Sequence, residues 1–286
     1  MKKIIQICLF LSAAMFLFSC GSSFVQDEQA VKTKENIAAI EQYLKTNNLP
    51  IQKTANGVYY VVTKANPSGK TPVAGDQIAF QYVESVLGGS KVDTSTNPVN
   101  LIYGVNYGLP TAAVLDGMSI LHAGEKATIF ITSDLAYGGQ TSQSLPSYSV
   151  LKFDLNIISI LTEDQQIEKY VTDNKLKITE KTATNLRYIL TTAGTGDVVK
   201  TGQNVTVNYT GKFLTGKQFD TGSFTLLLGS KSTVAGFEEG IGKMKVGEKS
   251  TIIFPSALGY GTGGSSSGTI PPYASLIFDI EVVSAK

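Results

Sequence analysis

The chain contains Gly75-Asp76-Gln77-Ile78-Ala79-Phe80-Gln81-Tyr82 and, 127 residues later, Gly202-Gln203-Asn204-Val205-Thr206-Val207-Asn208-Tyr209. After the first residues of each segment, apolar and polar residues alternate, which is the pattern of a strand with one face in a core. Further matches follow in the same order: Ile40-Glu41-Gln42-Tyr43-Leu44 with Ile167-Glu168-Lys169-Tyr170-Val171, Asp93-Thr94 with Asp220-Thr221, Gly124-Glu125-Lys126 with Gly247-Glu248-Lys249, Leu145-Pro146 with Ile270-Pro271, and Phe153-Asp154 with Phe278-Asp279. Because so many matches occur in order, we expect two copies of one domain.

Each copy predicts the same order of elements. A polar, amphipathic helix comes first, alternating strands follow, and one short helix lies between them. This order predicts the α+β class, with each domain a twisted antiparallel sheet wrapped on a short helix. We place a membrane tether and helix at 20–47, a first domain at 48–161, a linker helix at 162–178 and a second domain at 179–286. The segment Glu163–Lys181 is polar without a core pattern, which predicts early protease cleavage there.

The composition excludes several kinds of chemistry. Lys+Arg 24 against Asp+Glu 23 gives a net charge of +1 at pH 7, so no clustered basic face for nucleic acid is indicated. One His and two Cys cannot form a zinc site of the usual type, and we expect no metal and no cofactor. A Ser-His-Asp triad would need His122, which comes just before the predicted turn Gly124-Glu125-Lys126. A solvated turn histidine is the simpler interpretation.

The first residues are typical of an export signal. Met1-Lys2-Lys3 is a short basic region, and the apolar run that follows, 4–17, is too short for a stable membrane span. Leu17-Phe18-Ser19-Cys20 resembles the lipobox of bacterial lipoproteins, which implies a signal peptide at 1–19 and lipidation at Cys20. The alternative is a plain signal peptide with an accidental cysteine. The next residues, 21–23, lack the aspartate that retains some lipoproteins at the inner membrane, so we expect an exported, lipid-anchored protein of the outer membrane, on its periplasmic or surface face.

Six motifs in the second copy are typical of one family. They are Val207-Asn208-Tyr209-Thr210-Gly211, Phe219-Asp220, Gly236-Phe237-Glu238-Glu239-Gly240, Met244-Lys245-Val246-Gly247-Glu248, Leu258-Gly259-Tyr260-Gly261 and Ile270-Pro271-Pro272. In this order they resemble the FKBP-type peptidyl-prolyl isomerases, over essentially all of 183–286. The resemblance implies a folding helper that isomerises X–Pro bonds in proline-containing polypeptides of the cell envelope, with macrolides of the tacrolimus or rapamycin type as further ligands.

The resemblance also implies a hydrophobic pocket between the sheet and the short helix. Its catalytic residues would be Tyr209, Asp220, Tyr260 and Phe278, and its substrate-binding residues Phe219, Phe224, Val234, Phe237 and Ile270. In that assignment the Val234 N–H and the Tyr260 hydroxyl each bind a substrate carbonyl. Asp220 accepts a hydrogen bond from Tyr209, near the amide that twists. Aromatic residues on alternating strands are also what an ordinary core contains, so the pocket depends on the order of the motifs.

Two departures distinguish this chain from the family pattern. Phe237 stands where the family usually has Trp, and no arginine lies in Thr221-Gly222-Ser223 to pair with the aspartate. The first copy keeps the counterparts of Tyr209, Asp220, Tyr260 and Phe278, namely Tyr82, Asp93, Tyr137 and Phe153. It has valine for three aromatic walls: Val92 for Phe219, Val99 for Phe224 and Val114 for Phe237. We therefore expect the first copy to be a degenerate binding or spacing module and the second to be the isomerase.

Two other functions stay open at this point. One is a non-catalytic FKBP-like chaperone or partner-binding lipoprotein that keeps the fold without turnover. The other is a β-rich surface lipoprotein that binds a small solute or glycan, for which exposed aromatic residues would cluster without the FKBP order of motifs.

Overall fold

The computed structural model describes residues 20–105, 107–108, 111–142 and 144–286. The chain divides into two compact units, one holding most of 20–159 and the other holding 160–286 together with the short segments 73–78 and 101–105. The predicted signal peptide, 1–19, lies outside the described residues, as do the side chains of 20–27. In the part of the chain that is described, no helix is long and apolar enough to cross a membrane.

The first unit begins with a long helix, α1, and continues as a sheet with one short helix, α2. The helices are α1 Cys20–Thr46 and α2 Thr111–Met118, and the strands are β1 Gln52–Lys53, β2 Tyr59–Lys64, β3 Gln77–Val86, β4 Lys91–Thr94, β5 Val99–Ile102, β6 Lys126–Ile131 and β7 Leu151–Leu161. The strand order is β1-β2-β6-β7-β3-β4, with β5 also paired to β3. Neighbouring strands run antiparallel, as in the pairs β2–β6 and β6–β7.

The second unit repeats this plan. Its helices are α3 Glu163–Asp173 and α4 Ala235–Ile241, and its strands are β8 Glu180–Lys181, β9 Arg187–Thr192, β10 Asn204–Phe213, β11 Gln218–Leu227, β12 Lys249–Phe254 and β13 Leu276–Ala285. The order β8-β9-β12-β13-β10-β11 matches that of the first unit strand for strand. The prediction of an α+β fold with two antiparallel sheets is confirmed.

Two glycines let α4 lie close against the inner face of the second sheet. A Cβ at Gly236 would come within 2.5 Å of the Phe254 ring, and one at Gly240 within 2.6 Å of Ile252. Because a side chain at either site would push the helix away, Gly236-x-x-x-Gly240 sets the distance between helix and sheet. The two glycines therefore fix the depth of any pocket between α4 and the sheet.

The longer helices pack on the other faces of the two sheets. In α3, Ile167 and Val171 are buried against Ile189, Ile253 and Ile277. A capping box between Thr162 and Gln165 starts that helix. The prediction that Glu163–Lys181 carries no core pattern was wrong, because two apolar residues four positions apart are enough to attach one face of a helix. The domain boundaries themselves stay predictions.

The helix α1 is attached in the same way. Ile40 and Leu44 are fully buried in a cluster with Tyr59, Val61 and Phe130. Ile40 and Leu44 occupy the same repeat positions as Ile167 and Val171, which explains why the sequence match includes both helices. A role of α1 as a membrane tether stays a prediction.

Candidate functional site

A pocket of about 190 Å³ lies between the inner face of the second sheet and α4. It is lined by Tyr209, Phe219, Asp220, Phe224, Ser232, Thr233, Val234, Phe237, Tyr260 and Phe278. The structure thus brings together eight of the nine site residues that the sequence assigned to this domain. The ninth, Ile270, is 4% exposed in the core cluster that also contains Phe237 and Phe278, and it is not among the residues that line this pocket.

Four phenylalanines form the apolar walls. Phe237 is buried at the start of α4, with its ring centroid 5.0 Å from that of Phe278 and 5.9 Å from that of Phe224. Phe219 meets the edge of Phe278 at 5.6 Å, and the Phe254 ring stacks behind Phe278 at 5.8 Å. Because each ring contacts at least one other in a stacked or edge-to-face arrangement, the wall is preorganised to receive an apolar group.

One polar pair lies at the side of this pocket. The Tyr209 hydroxyl donates to Asp220 Oδ2 at 2.7 Å, and the Thr221 backbone N–H donates to Asp220 Oδ1 at 2.8 Å. Burial and then the hydrogen bond to Asp220 raise the pKa of Tyr209 to about 12, so its hydroxyl is protonated at neutral pH. The pair Gly211 and Asp220 is in register across β10 and β11, which places the carboxylate beside Tyr209.

Two hydrogen-bond donors lie at the rim. Val234 is the N-cap of α4, and the first N–H groups of a helix have no acceptor within the helix. Tyr260 follows a short 3-10 helix, Ser256–Leu258, and is 41% exposed, so its hydroxyl is open to a ligand. Both groups can donate a hydrogen bond to a ligand in the pocket.

Two lining residues were not assigned from the sequence. Ser232 and Thr233 come directly before Val234, and the buried Thr233 hydroxyl has no hydrogen-bond partner among the described residues. The sequence signal that could have identified Ser232 and Thr233 is their position next to Val234, which was assigned to the site. Small polar side chains there carry no apolar pattern, so residue type alone could not identify them.

The first unit keeps the polar pair and changes the walls. The Tyr82 hydroxyl donates to Asp93 Oδ2 at 2.6 Å, and the Tyr82 ring lies 6.0 Å from that of Phe153. The hydrogen bond to Asp93 and then burial raise the pKa of Tyr82 to about 12. Val92, Val99 and Val114 stand at the positions of three phenylalanines, and Glu84 stands at the position of Gly211. The first unit therefore lacks three of the aromatic walls but keeps the rings of Tyr82 and Phe153.

Larger concavities lie on the opposite, polar faces of both sheets. The one in the second unit measures about 520 Å³ and the one in the first about 480 Å³. Both are shallow grooves over polar and charged residues such as Thr251 and Asp279, with the counterparts Thr128 and Asp154. The phenylalanine rings that line the smaller pocket have no counterpart among the residues lining these grooves, so the smaller pocket fits an apolar ligand better despite its size. Among the described residues, no cluster of three or more His, Cys, Asp or Glu side chains could hold a metal ion.

A compact aromatic pocket with hydrogen-bond donors at its rim defines a domain that binds a small ligand or a short peptide segment. The family model of the FKBP-type peptidyl-prolyl cis-trans isomerases matches 68–158 and 196–283, one match in each repeat. The chain belongs to this family, which confirms the resemblance inferred from the motifs.

Three known proteins illustrate the similarity. Peptidyl-prolyl cis-trans isomerase FKBP9 of Homo sapiens is 28% identical over 220 residues, 73% of this chain and 35% of its own length. FK506-binding protein 1 of Dictyostelium discoideum is 38% identical over 98 residues, 32% of this chain and 91% of its own. The crystal structure of the three FKBP domains of wheat FKBP73 covers 81% of this chain and 96% of its own, with 20% identity and a TM-score of 0.39. This chain spans well under two thirds of FKBP9, so the similarity does not extend to that whole protein.

Proposed function

We propose that the second repeat of this chain catalyses cis–trans isomerisation of X–Pro peptide bonds. The observation that carries the proposal is the pocket of Phe219, Phe224, Phe237 and Phe278 beside the Tyr209–Asp220 pair. A proline ring is a compact apolar group without an N–H, so it fits a pocket whose walls are apolar and whose donors lie at the rim.

The reaction requires stabilisation of a twisted amide. Rotation about the amide bond faces a barrier of ~18–20 kcal/mol, because twisting breaks resonance. X–Pro bonds therefore exchange in roughly tens to hundreds of seconds. A turnover of about 100 s⁻¹ requires about a 10⁴-fold acceleration, or about 5.5 kcal/mol. No covalent intermediate is needed for a gain of that size.

The apolar walls supply much of this gain by desolvation. A planar amide has charge separation and is well hydrated, whereas a twisted amide has lost much of that separation. A dry aromatic pocket therefore favours the twisted form over the planar ground state, which is preferential binding of the transition state. Phe237 and Phe278 are almost fully buried and carry most of this effect.

The polar groups orient the substrate. The Val234 N–H and the Tyr260 hydroxyl bind two carbonyl groups of the peptide on either side of the bond that rotates. Asp220 is held by Tyr209 and by the Thr221 N–H, so its carboxylate has a fixed position near the twisting amide. It acts on the charge distribution of that amide, and no proton is transferred.

We also propose that the first repeat does not catalyse this reaction. Its tyrosine–aspartate pair has the same geometry, but Val92, Val99 and Val114 replace three aromatic walls. Without those walls, water reaches the amide in its planar and twisted forms alike, and the preference for the twisted form is lost. The first repeat would then serve in binding.

The setting that we propose is the bacterial cell envelope. Lipidation at Cys20 would anchor the chain at the outer membrane, and its substrates would be proline-containing polypeptides there. Macrolides of the tacrolimus or rapamycin type would bind the same pocket, in keeping with the names of the FK506-binding relatives. Fatty-acid labelling of the wild type and of Cys20→Ala tests the anchor, and equal labelling of the two proteins would refute it.

An isomerisation assay tests the catalytic proposal. NMR exchange spectroscopy on an Ala-Phe-Pro peptide measures the rate with the full chain, with Phe219→Val in the second repeat and with Phe153→Val in the first. We expect Phe219→Val to lower the rate and Phe153→Val to leave it unchanged. Equal losses in both variants would contradict the assignment to the second repeat. Saturable peptide binding without any turnover would favour the non-catalytic chaperone.

A further inference from the structure

Glu84 is a buried carboxylate on the inner face of the first sheet. It lies on β3, where burial alternates so that Ile78, Phe80 and Glu84 point to the core side. Its cross-strand partner on β4 is Asp93, and the corresponding pair in the second unit is Gly211 and Asp220. The first repeat therefore has a second acid beside the one that both repeats share.

The second repeat shows why a side chain fits at this position only when the wall changes. A Cβ on Gly211 would lie 2.6 Å from the Phe219 ring and 3.0 Å from Phe278. A side chain at this position would require the Phe219 ring to move, because the ring occupies the space. In the first repeat Val92 replaces Phe219, and the removed ring leaves room for Glu84. The two substitutions together exchange an aromatic wall for a carboxylate.

One oxygen of the Glu84 carboxylate, Oε1, is buried without a hydrogen-bond partner in the described part of the chain. The residue as a whole is 5% exposed. Burial and then the negative charge of Asp93 raise the pKa of Glu84 above its usual value. A buried acid with an open acceptor, opposite a second acid, is costly unless a positive group binds between them.

The neighbouring acid, Asp93, is held in its charged form. The Tyr82 hydroxyl and the Thr94 N–H both donate to its carboxylate, and the pKa of Asp93 is lowered for that reason. Burial, and then the charges of Glu84 and Asp93, raise the pKa of Tyr137, so a neutral phenol lies close to both acids. The site therefore combines two acids with two aromatic rings.

We propose that the first repeat binds an organic cation, the ammonium or guanidinium group of a lysine or arginine side chain, between Glu84 and Asp93. Such a group carries several N–H donors and can satisfy both carboxylates at once. The neighbouring rings of Tyr82 and Tyr137 would add cation–π contact to the same group. Calcium takes six to eight oxygen ligands, more than two carboxylates supply, so the donor set favours the organic cation over a metal ion. This site is independent of the isomerase pocket, so either proposal can fail alone.

The test uses the full chain and short capped peptides. Ala-Lys-Ala and Ala-Arg-Ala peptides are titrated into the protein at pH 7.5, and the backbone amide signals of β3 and β4 are followed by NMR. A peptide with norleucine in place of lysine is the neutral probe. We expect saturable shifts with both cationic peptides and none with the neutral one. Equal binding of the neutral peptide, or no shift with either cationic one, would overturn the proposal.

The matched variants are Glu84→Gln and Glu35→Gln. Both remove one acid from the first unit, but Glu35 is an exposed helix residue whose ion pair with Lys32 lies on the surface. We expect Glu84→Gln to weaken binding of the cationic peptides by about tenfold or more, as the loss of a charge-assisted hydrogen bond does. Glu35→Gln should bind like the wild type. Equal affinity of wild type and Glu84→Gln would refute the site.

A pH series on the wild type keeps the proposal testable should Glu84→Gln not fold. The ionisable groups around Glu84 in the described part of the chain are Asp93, Tyr82 and Tyr137, with Lys91 near Asp93. Since the pKa of Asp93 is lowered and those of both tyrosines are raised, Glu84 is the first of these groups to change charge as the pH falls. Binding should weaken through that range, and affinity that is constant down to the titration of ordinary carboxylates would contradict the proposal.

Discussion

Replacing Phe219 by valine gives the second repeat the residue that the first repeat has at this position, Val92, and tests the desolvation argument. The Phe219 ring centroid lies 5.6 Å from that of Phe278 in the pocket and 4.9 Å from that of Phe213 outside it. The change removes four carbons, worth up to ~3 kcal/mol at ~0.8 kcal/mol per fully buried CH₂. Because Phe219 is only partly buried, about half of that applies. We expect a loss of about 1.5 kcal/mol of transition-state stabilisation, or about tenfold in kcat/KM.

The assay is NMR exchange on an Ala-Phe-Pro peptide, with circular dichroism to check the fold. Phe213→Val is the matched control, because it removes the same atoms from the same ring pair, and Phe213 does not line the pocket. It should destabilise the protein similarly and leave kcat/KM within about twofold of wild type. A folded Phe219→Val protein with full activity would refute the role of the wall. An equal loss in Phe213→Val would assign the effect to stability.

Three further predictions concern single side chains. Tyr260→Phe removes one rim hydroxyl, worth about 0.5–1.5 kcal/mol, and should lower kcat/KM by about tenfold or less in the same assay; unchanged kinetics would show that the hydroxyl does not contact substrate. Arg187→Ala removes a 0% exposed side chain that pairs with Asp164 and Glu168 on α3. It should lower the free energy of unfolding, measured by urea denaturation, by about 2 kcal/mol, a figure discounted because both acids are partly exposed. Glu84→Gln should raise Tm at pH 7. The pKa of Glu84 is raised in the folded state, so the native protein holds this proton more tightly than the unfolded chain does. The stability that this proton gives is present below the unfolded pKa and is lost as the pH rises through the folded pKa. The Tm difference should vanish in acid, and a variant less stable than wild type at pH 7 would contradict this sign.

The sequence predicted the repeat, the fold class and most of the pocket for a physical reason. Strands with one buried face alternate, so Tyr209 and Val207 identify an inner face without any coordinates. The order of the motifs then identified which inner-face aromatic residues meet at α4. Five of the eight assigned lining residues lie on strands, where register places them, and the other three, Val234, Phe237 and Tyr260, lie at or near helices and were assigned through the family resemblance alone.

What the sequence did not predict depends on packing between elements. Ile270 belongs to a motif and is buried in the core, but it is not among the residues that line the pocket. Ser232 and Thr233 line the pocket through the course of a loop, which has no periodic pattern. Glu84 was not singled out from the sequence, although it is in phase with Ile78 and Phe80 on β3, because an acid within an alternating strand does not by itself indicate burial.

The two repeats separate two contributions that most pockets combine. The tyrosine–aspartate hydrogen bond is 2.6 Å in the first repeat and 2.7 Å in the second, and a threonine N–H supports the aspartate in both. This polar pair is thus a property of the strand register, and it is present whether or not the walls are aromatic. If the pair alone lowered the rotation barrier, both repeats would be isomerases with similar rates. If the dry aromatic wall is required, only the second repeat is an isomerase, and the freed space in the first is open to different chemistry. The presence of Glu84 in that space favours the second alternative, because a buried acid raises the polarity of a site whose catalytic value would depend on excluding polar groups.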